Sequence, residues 1–353
     1  MAILFAILLF SFLIFIHELG HFVAAKMSGV QVNEFAIFMG PAIFKWQRGE
    51  TQYSIRCIPI GGYCAMEGED EDSDNPRAFG KAKWWKRLII LAAGAAMNFV
   101  AGLLIFAILY LPGNQIVAPV ISEFTDCCIF NTESGLQIGD EIVALDGEKI
   151  YVNNDISLIL NLNATKIHDV TVIRNGEKLV FNDLEMAHTC VDENGTEYLH
   201  YGFSFGEVRT VGFMKKLDYV WKMSLDTVRT VRISLQMLIR GQAGLNDMTG
   251  PIGIVKIMSD TAQAADSTLV AVLNILYFGG FIAINLAVMN LLPFPALDGG
   301  RIVVLLLTLA IEKITRKKLN PKYEAYIHGA GMILLLALMA FVFLKDIIMI
   351  FKG

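Results

Sequence analysis

Charge is thin in this chain. Only 18% of its 353 residues are Asp, Glu, Lys or Arg, and the net charge is −5. No basic stripe with interleaved aromatics occurs, which argues against nucleic acid as a partner. Cysteine is also scarce: the five are Cys57, Cys64, Cys127, Cys128 and Cys190. None forms a C-x-x-C pair, so a thiolate zinc site is not expected. Cys190 could pair with Cys127 or Cys128 if that region lies outside the cell; otherwise all five are small free hydrophobes. No basic residue precedes Lys26. A secretory signal peptide would carry basic residues first and a small-residue cleavage site after, so the opening segment reads as a membrane span.

In place of charge the chain has long apolar runs. Hydrophobic residues make up 55% of it, and several runs exceed the length that spans a bilayer. Four spans are expected, at residues 1–26, 88–111, 269–292 and 325–344. A fifth apolar run, 302–311, is too short to span alone and reads as a half-helix or packed cytoplasmic helix. Between the first two spans, Ile43–Arg48 and Thr51–Arg56 alternate around Gly49-Glu50, which reads as a β-hairpin. Glu67 to Asp74 reads as an acidic, solvated loop. Residues 115–207 change to a soluble composition with short β-rich pieces, and Asn175-Gly176 between two of them is a hairpin signal. This is expected to be one small β-rich domain, with His168, His188 and His200 on its surface. Residues 213–240 repeat with a helical period but carry charge on one face. They read as an amphipathic helix on the membrane or against the bundle. Thr249-Gly250-Pro251-Ile252-Gly253 separates it from the third span.

Basic residues cluster at Lys81, Lys83, Lys86 and Arg87, and again at Lys313, Arg316, Lys317, Lys318 and Lys322. The positive-inside rule puts both clusters in the cytoplasm, and the β-rich domain and both termini outside. His328 is expected to be an interfacial polar residue.

Two stretches carry chemistry. His17-Glu18-Leu19-Gly20-His21 lies inside the first apolar run. On a helix, residues four apart share a face, so His17 and His21 could hold one zinc ion with two nitrogens. Glu18 then lies where it can take a proton from a water at the metal. Three ionisable groups in an apolar span each cost a few kcal/mol unless satisfied. The alternative, capped polar residues in helix packing, explains them less well. A catalytic zinc takes three protein ligands. Asp298 is the candidate third, in Asn290-Leu-Leu-Pro293-Phe-Pro295-Ala-Leu-Asp298-Gly-Gly300. The two prolines bar a regular helix there, and the glycines permit close backbone approach. Asn290 offers an amide at the same depth, to a substrate backbone or to a neighbouring helix.

With these residues in view, the chain resembles the site-2 proteases, intramembrane zinc metalloproteases, most closely the bacterial RseP type. The matching residues are 17–21, Gly94 to Asn98, 249–253 and 290–300. The resemblance implies that His17, His21 and Asp298 bind one Zn²⁺, that Glu18 is the catalytic acid/base and that Asn290 contacts substrate. Residues 35–66, with Gly-Glu-Thr at 49–51 and Ile-Pro-Ile-Gly-Gly-Tyr at 58–63, resemble the family's membrane re-entrant β-hairpin, which takes up a substrate strand by β-augmentation. Tyr53 and Ile55 on the hairpin, with Pro293 and Pro295, complete the candidate substrate contacts. Residues 134–147 resemble a PDZ domain, with room for one copy.

The expected fold is thus membrane α-helical. It has four transmembrane helices, a cytoplasmic-side re-entrant β-hairpin and an inserted extracytoplasmic PDZ-like domain. The implied activity is cleavage of transmembrane segments of single-span proteins, such as anti-sigma factors or remnant signal peptides, in the bacterial cytoplasmic membrane. Two rivals are a catalytically silent PDZ membrane scaffold, for which Glu18 is dispensable, and a metal transporter, which leaves the hairpin unexplained.

Overall fold

A computed structural model describes residues 2–69, 73–124, 135–191, 197–241, 244, 250–316 and 321–352. Cys127, Cys128, Ser134, Thr249, Lys317 and Lys318 lie outside these residues, as does any bond from Cys127 or Cys128 to Cys190. The chain divides into two compact units, Met1–Ile105 with Thr227–Gly353, and Phe106–Asp226.

The first unit begins with α1 (Ala2–Ser28), apolar on all sides except where Ser11, His17, Glu18 and His21 interrupt it and where Lys26 and Ser28 close it. It stops at Gly29, whose φ of 80° suits only glycine without strain. The Val30 N–H closes back on Ala25 O at 3.0 Å, a Schellman cap. The chain then forms β1 (Val32–Arg48) and β2 (Thr51–Met66), which reverse at Gly49-Glu50. The strands pair antiparallel, Arg48 with Thr51 beside the turn and Phe35 with Cys64 at the far end. The ladder is more than a hairpin. Residues 34–37 also lie beside 52–55 in ascending register, so early β1 runs between two stretches of β2. Residues 58–66 of β2 pair on one side only among the described residues, which leaves them as an edge. Phe22 of α1 packs on Phe35 and Tyr53, and Tyr53 stacks on Trp46 with centroids 5.3 Å apart. That cluster glues the sheet to α1.

The turn is held by charge. Glu50 takes both Arg77 Nη atoms at 2.5 and 2.8 Å, and Lys26 Nζ at 2.7 Å. Hydrogen bonds from Arg77 and then Lys26 pull its carboxyl from 4.5 down to about 2. A folded-state value below the unfolded one means stability is present above about pH 4.5 and lost as pH falls toward 2. Hydrogen exchange of the turn amides, 47–53, should therefore accelerate between pH 4.5 and 2 beyond its intrinsic pH dependence. The Glu50→Gln variant should lack that step.

α2 (Trp84–Tyr110) packs closely on α1. A Cβ at Gly20 would stand 2.4 Å from Ala93 O, so the backbones meet through a small residue, as membrane helices do.

The second unit holds β3 (Gln115–Phe124), β4 (Glu141–Leu145), β5 (Glu148–Lys149), α3 (Asn154–Leu162), β6 (Ile167–Arg174), β7 (Glu177–Glu185), β8 (His188–Val191), β9 (Glu197–His200) and β10 (Phe203–Thr210). One sheet runs β10-β3-β4-β6-β7, with β5 on β4, and β8 pairs with β9. Asn175 and Gly176 turn β6 into β7 with φ of 52° and 86°, the pair of positive values that this turn requires. Ile121, Ile142, Ile156 and Val170 are among its core residues. His168 is not on the surface. It is buried, with Nδ1 2.8 Å from Asp146 Oδ2 and Nε2 2.9 Å from Thr165 O. Acceptors at both ring nitrogens meet its polar needs inside the core.

α4 (Phe213–Ile239) follows. Its faces do not sort as the sequence period suggests: Leu217 and Trp221 are exposed, whereas Lys216 and Arg229 are buried. Lys216 can be buried because its ammonium donates to Leu111 O and Gly113 O at 2.5 and 3.0 Å, carbonyls beyond the end of α2. The rest of the first unit is α5 (Pro251–Gln263), α6 (Thr268–Asn290), α7 (Asp298–Thr315) and α8 (Pro321–Lys352). α5 has no counterpart in the sequence reading. Its Gly250-Pro251 start, which reads in sequence only as a break, puts proline where a helix tolerates it best. Asp346 of α8 caps it, accepting from Gly250 N and Gly253 N at 3.3 and 2.9 Å.

Among the described residues, four helices are long and apolar enough to cross a membrane: Phe5–Ser28, Trp84–Tyr110, Thr268–Asn290 and Tyr326–Ile348. At 1.5 Å per residue even the 23-residue pair is about 35 Å long, against about 30 Å of hydrocarbon.

Candidate metal centre

α1 presents His17 and His21 one turn apart, and their imidazole Nε2 atoms stand 3.1 Å from each other. Asp298 opens α7 and brings Oδ2 to 3.1 Å from His17 Nε2 and 3.3 Å from His21 Nε2. Asp298 Oδ2 is buried and, among the described residues, accepts no well-formed hydrogen bond. Three lone-pair-bearing atoms thus face one another in a buried space. That arrangement is unfavourable unless a proton or a metal cation sits between them. Zinc bonds of about 2.0–2.1 Å at tetrahedral angles place ligand atoms about 3.3 Å apart, close to the spacing observed. The donor set, two imidazoles and a carboxylate, is also a zinc set.

The surroundings orient each ligand. His21 Nδ1 donates to Ile90 O at 2.8 Å, which leaves Nε2 free to face inward. His17 Nδ1 has two amide groups against it, Asn98 of α2 at 3.5 Å and Asn290 of α6 at 3.3 Å. Gly94 lies directly behind the pair: a Cβ there would stand 2.4 Å from His21 Nε2 and 2.7 Å from His17 Cε1.

Asp298 reaches this depth through a loop that only small residues allow. A Cβ on Gly299 would sit 2.2 Å from Leu291 O, and one on Gly300 2.1 Å from Phe294 O. Pro293 and Pro295 keep the chain from continuing α6. Ala296 takes a left-handed φ of 84°, and its N–H donates to His328 Nδ1 at 3.4 Å. Gly331 of α8 lies against Pro295, 2.4 Å from where its Cβ would be. α8 therefore braces the loop, and His328 belongs to that brace.

A model of peptidase family M50 matches residues 5–338. The chain belongs to peptidase family M50. This is the site-2 protease family, so the resemblance drawn from the motifs holds. A Clostridium perfringens relative named as a zinc metalloprotease is 36% identical over 349 residues, 99% of each chain. The zinc metalloprotease RasP of Bacillus licheniformis is 28% identical over 423 aligned positions, covering 97% of each chain. The regulator of sigma-W protease RasP of Bacillus subtilis is 28% identical over 426, again 97% of each. This M50 chain is a zinc metalloprotease, and zinc is the metal its residues would hold.

Of the residues singled out from sequence, the M50 fold brings His17, Glu18, His21, Asp298 and Asn290 together. Asn290 uses its amide on His17, the neighbouring-helix alternative. Pro293 and Pro295 shape the loop. Tyr53 and Ile55 are elsewhere: Tyr53 is inside the aromatic cluster with Phe22, Phe35 and Trp46, and Ile55 pairs with Phe44 and Ile37. The stretch of β2 that reaches the centre is its edge. A Cβ on Gly62 would lie 3.5 Å from Glu18 Cγ. Gly94 and Asn98, which the sequence shows only as residues matching the family, are parts of the centre.

Proposed function

We propose that this M50 protease cleaves transmembrane segments of single-span membrane proteins at the centre formed by His17, His21 and Asp298. The carrying observation is the convergence of those three donors within apolar helices, beside Glu18 and a free strand edge. Zinc, when bound by them, supplies Lewis-acid polarisation of a peptide carbonyl and a lowered pKa for water. Glu18 takes the water proton and returns it to the leaving amine. Asn98 and Asn290 hold the His17 ring in place.

A helical substrate hides its peptide bonds in its own hydrogen bonds, so it has to unwind to be cut. Residues 58–66 of β2 offer it backbone donors and acceptors as an added strand. Gly61 and Gly62 carry no side chain to keep that strand away from Glu18. The sheet then acts as a re-entrant element on the cytoplasmic side, and residues 115–207 as a PDZ-like extracytoplasmic module. The basic clusters near 81–87 and 313–322 support this sidedness. The name of the Bacillus subtilis relative, regulator of sigma-W protease, supports a substrate in sigma-factor control, an anti-sigma factor with one span, within regulated intramembrane proteolysis.

The test is a cleavage assay on a single-span model substrate in nanodiscs. Wild-type protein should cut within the span, lose the activity to a zinc chelator and regain it with added zinc. Asp298→Ala should bind less zinc and stay inactive after the addition. Chelator-resistant cleavage, or full zinc content in Asp298→Ala, would overturn the reading.

A further inference from the structure

The β2 edge is tied down at both ends, to different helices. At one end Ser11 Oγ of α1 donates to Pro59 O at 2.8 Å. From Ser11 to Glu18 is seven residues of helix, about 10 Å. From Pro59 to Gly62 is three residues of strand, also about 10 Å. The matching lengths mean that the strand runs along α1, which is why Gly62 comes level with Glu18.

At the other end the chain leaves β2 through Glu67, Gly68 and Glu69. Glu67 is fixed: its carbonyl accepts from Phe79 N at 2.7 Å, and its carboxylate from Asn33 Nδ2 at 2.6 Å and Ser73 Oγ at 2.5 Å. Two residues on, the Glu69 carboxylate pairs with Nη1 of Arg301. Arg301 is in the first turn of α7, and its N–H donates to Leu297 O at 3.1 Å. It is therefore one turn from Asp298. The two side chains are only 15% and 29% exposed, so either charge left alone would be costly.

We propose that Glu69 and Arg301 are positioning residues that set the substrate-receiving edge of β2 against the metal centre. Ser11 fastens the start of the edge to the helix bearing His17 and His21. Arg301 fastens its exit to the helix bearing Asp298. The edge thus bridges the two halves of the candidate ligand set, and the Ser11 hydrogen bond and the Glu69–Arg301 ion pair hold it against both. This rests on the reading of 58–66 as the receiving edge. Neither side chain touches substrate or metal; both act through the strand.

Full-length, zinc-loaded protein in nanodiscs provides the test, with hydrogen exchange of residues 58–66, zinc content and cleavage kinetics measured together. Arg301→Gln and Glu69→Gln should each speed exchange of the edge amides on the order of tenfold while local opening replaces the held state. Zinc should stay at its wild-type content. A misplacement on the order of 1 Å should lower kcat/KM by about 10²-fold. The double variant should exchange more slowly than the sum of the two single effects predicts, because both singles remove the same contact. Arg301→Lys, which keeps the charge, should recover most of the protection.

Unchanged exchange, additive loosening in the double variant, or zinc lost in step with cleavage would each overturn the proposal. The last result would make Arg301 a support of Asp298 alone. Should the wild type cleave nothing while exchange responds as expected, the protease reading fails and the positioning role stands.

Discussion

Glu18→Gln is expected to keep its zinc and to lose cleavage by about 10²–10⁴-fold, the usual worth of a positioned general acid/base. The two halves of that result have separate causes. Glu18 is not among the three converging atoms, which belong to His17, His21 and Asp298. Its amide replacement has the same shape, and it meets Gly62, where no Cβ competes for space. Metal affinity and packing are thereby preserved. What the amide cannot do is accept and return a proton. Metal analysis and gel-based cleavage of a single-span substrate, run on the same preparation, read both halves. Equal cleavage by wild type and variant would remove Glu18 from the chemistry and favour a scaffold. Loss of zinc would instead make Glu18 a ligand.

The candidate ligand set was legible because each part breaks a strong local pattern. His17, Glu18 and His21 interrupt an apolar run with the spacing of one helical turn. Asp298 stands among prolines and glycines at the end of another. The spans were legible for the same reason in reverse, since long runs without charge have few alternatives. What surrounds the ligands was not legible. Gly62 meets Glu18 across 44 positions of sequence, and a contact of that kind leaves no periodic mark. Alternation identifies a strand but does not say which stretch of it faces a given helix. Hence Tyr53 and Ile55, in the most regular part of β2, read as candidate contact residues, whereas the irregular Gly61-Gly62 segment is the one that lies beside Glu18. The irregularity goes with the register: left-handed backbone at Phe38, Gly40 and Gly61 accompanies the shifts through which early β1 pairs twice. His168 was misjudged because histidine in a soluble stretch is usually exposed. Asp146 and Thr165 O supply the partners that let it be buried.

Gly94→Ala is expected to disable the metal centre with a single methyl group. By helix propensity alone it should help, since alanine is favoured over glycine in a helix interior by about 0.8–1 kcal/mol. The surroundings reverse the sign. The added Cβ would lie 2.4 Å from His21 Nε2 and 2.8 Å from His21 Cε1, with His17 Cε1 at 2.7 Å. These are not flexible ends that can swing aside. His21 is held by Ile90 O through Nδ1, and His17 by Asn98 and Asn290. Relief therefore requires α1 and α2 to separate or the imidazoles to turn away. Separation is resisted where Gly20 already lies against Ala93. Turning the rings moves both Nε2 atoms off Asp298 Oδ2, and the three donors no longer converge. The variant should insert and fold as a helical membrane protein by circular dichroism, yet bind little zinc and cleave nothing detectable. Gly113→Ala, where a Cβ meets no atom within 4 Å, is the control and should bind zinc as the wild type does. Full zinc binding by Gly94→Ala would show that the histidine pair is not wedged against α2, and that the metal affinity does not depend on how closely these two helices approach.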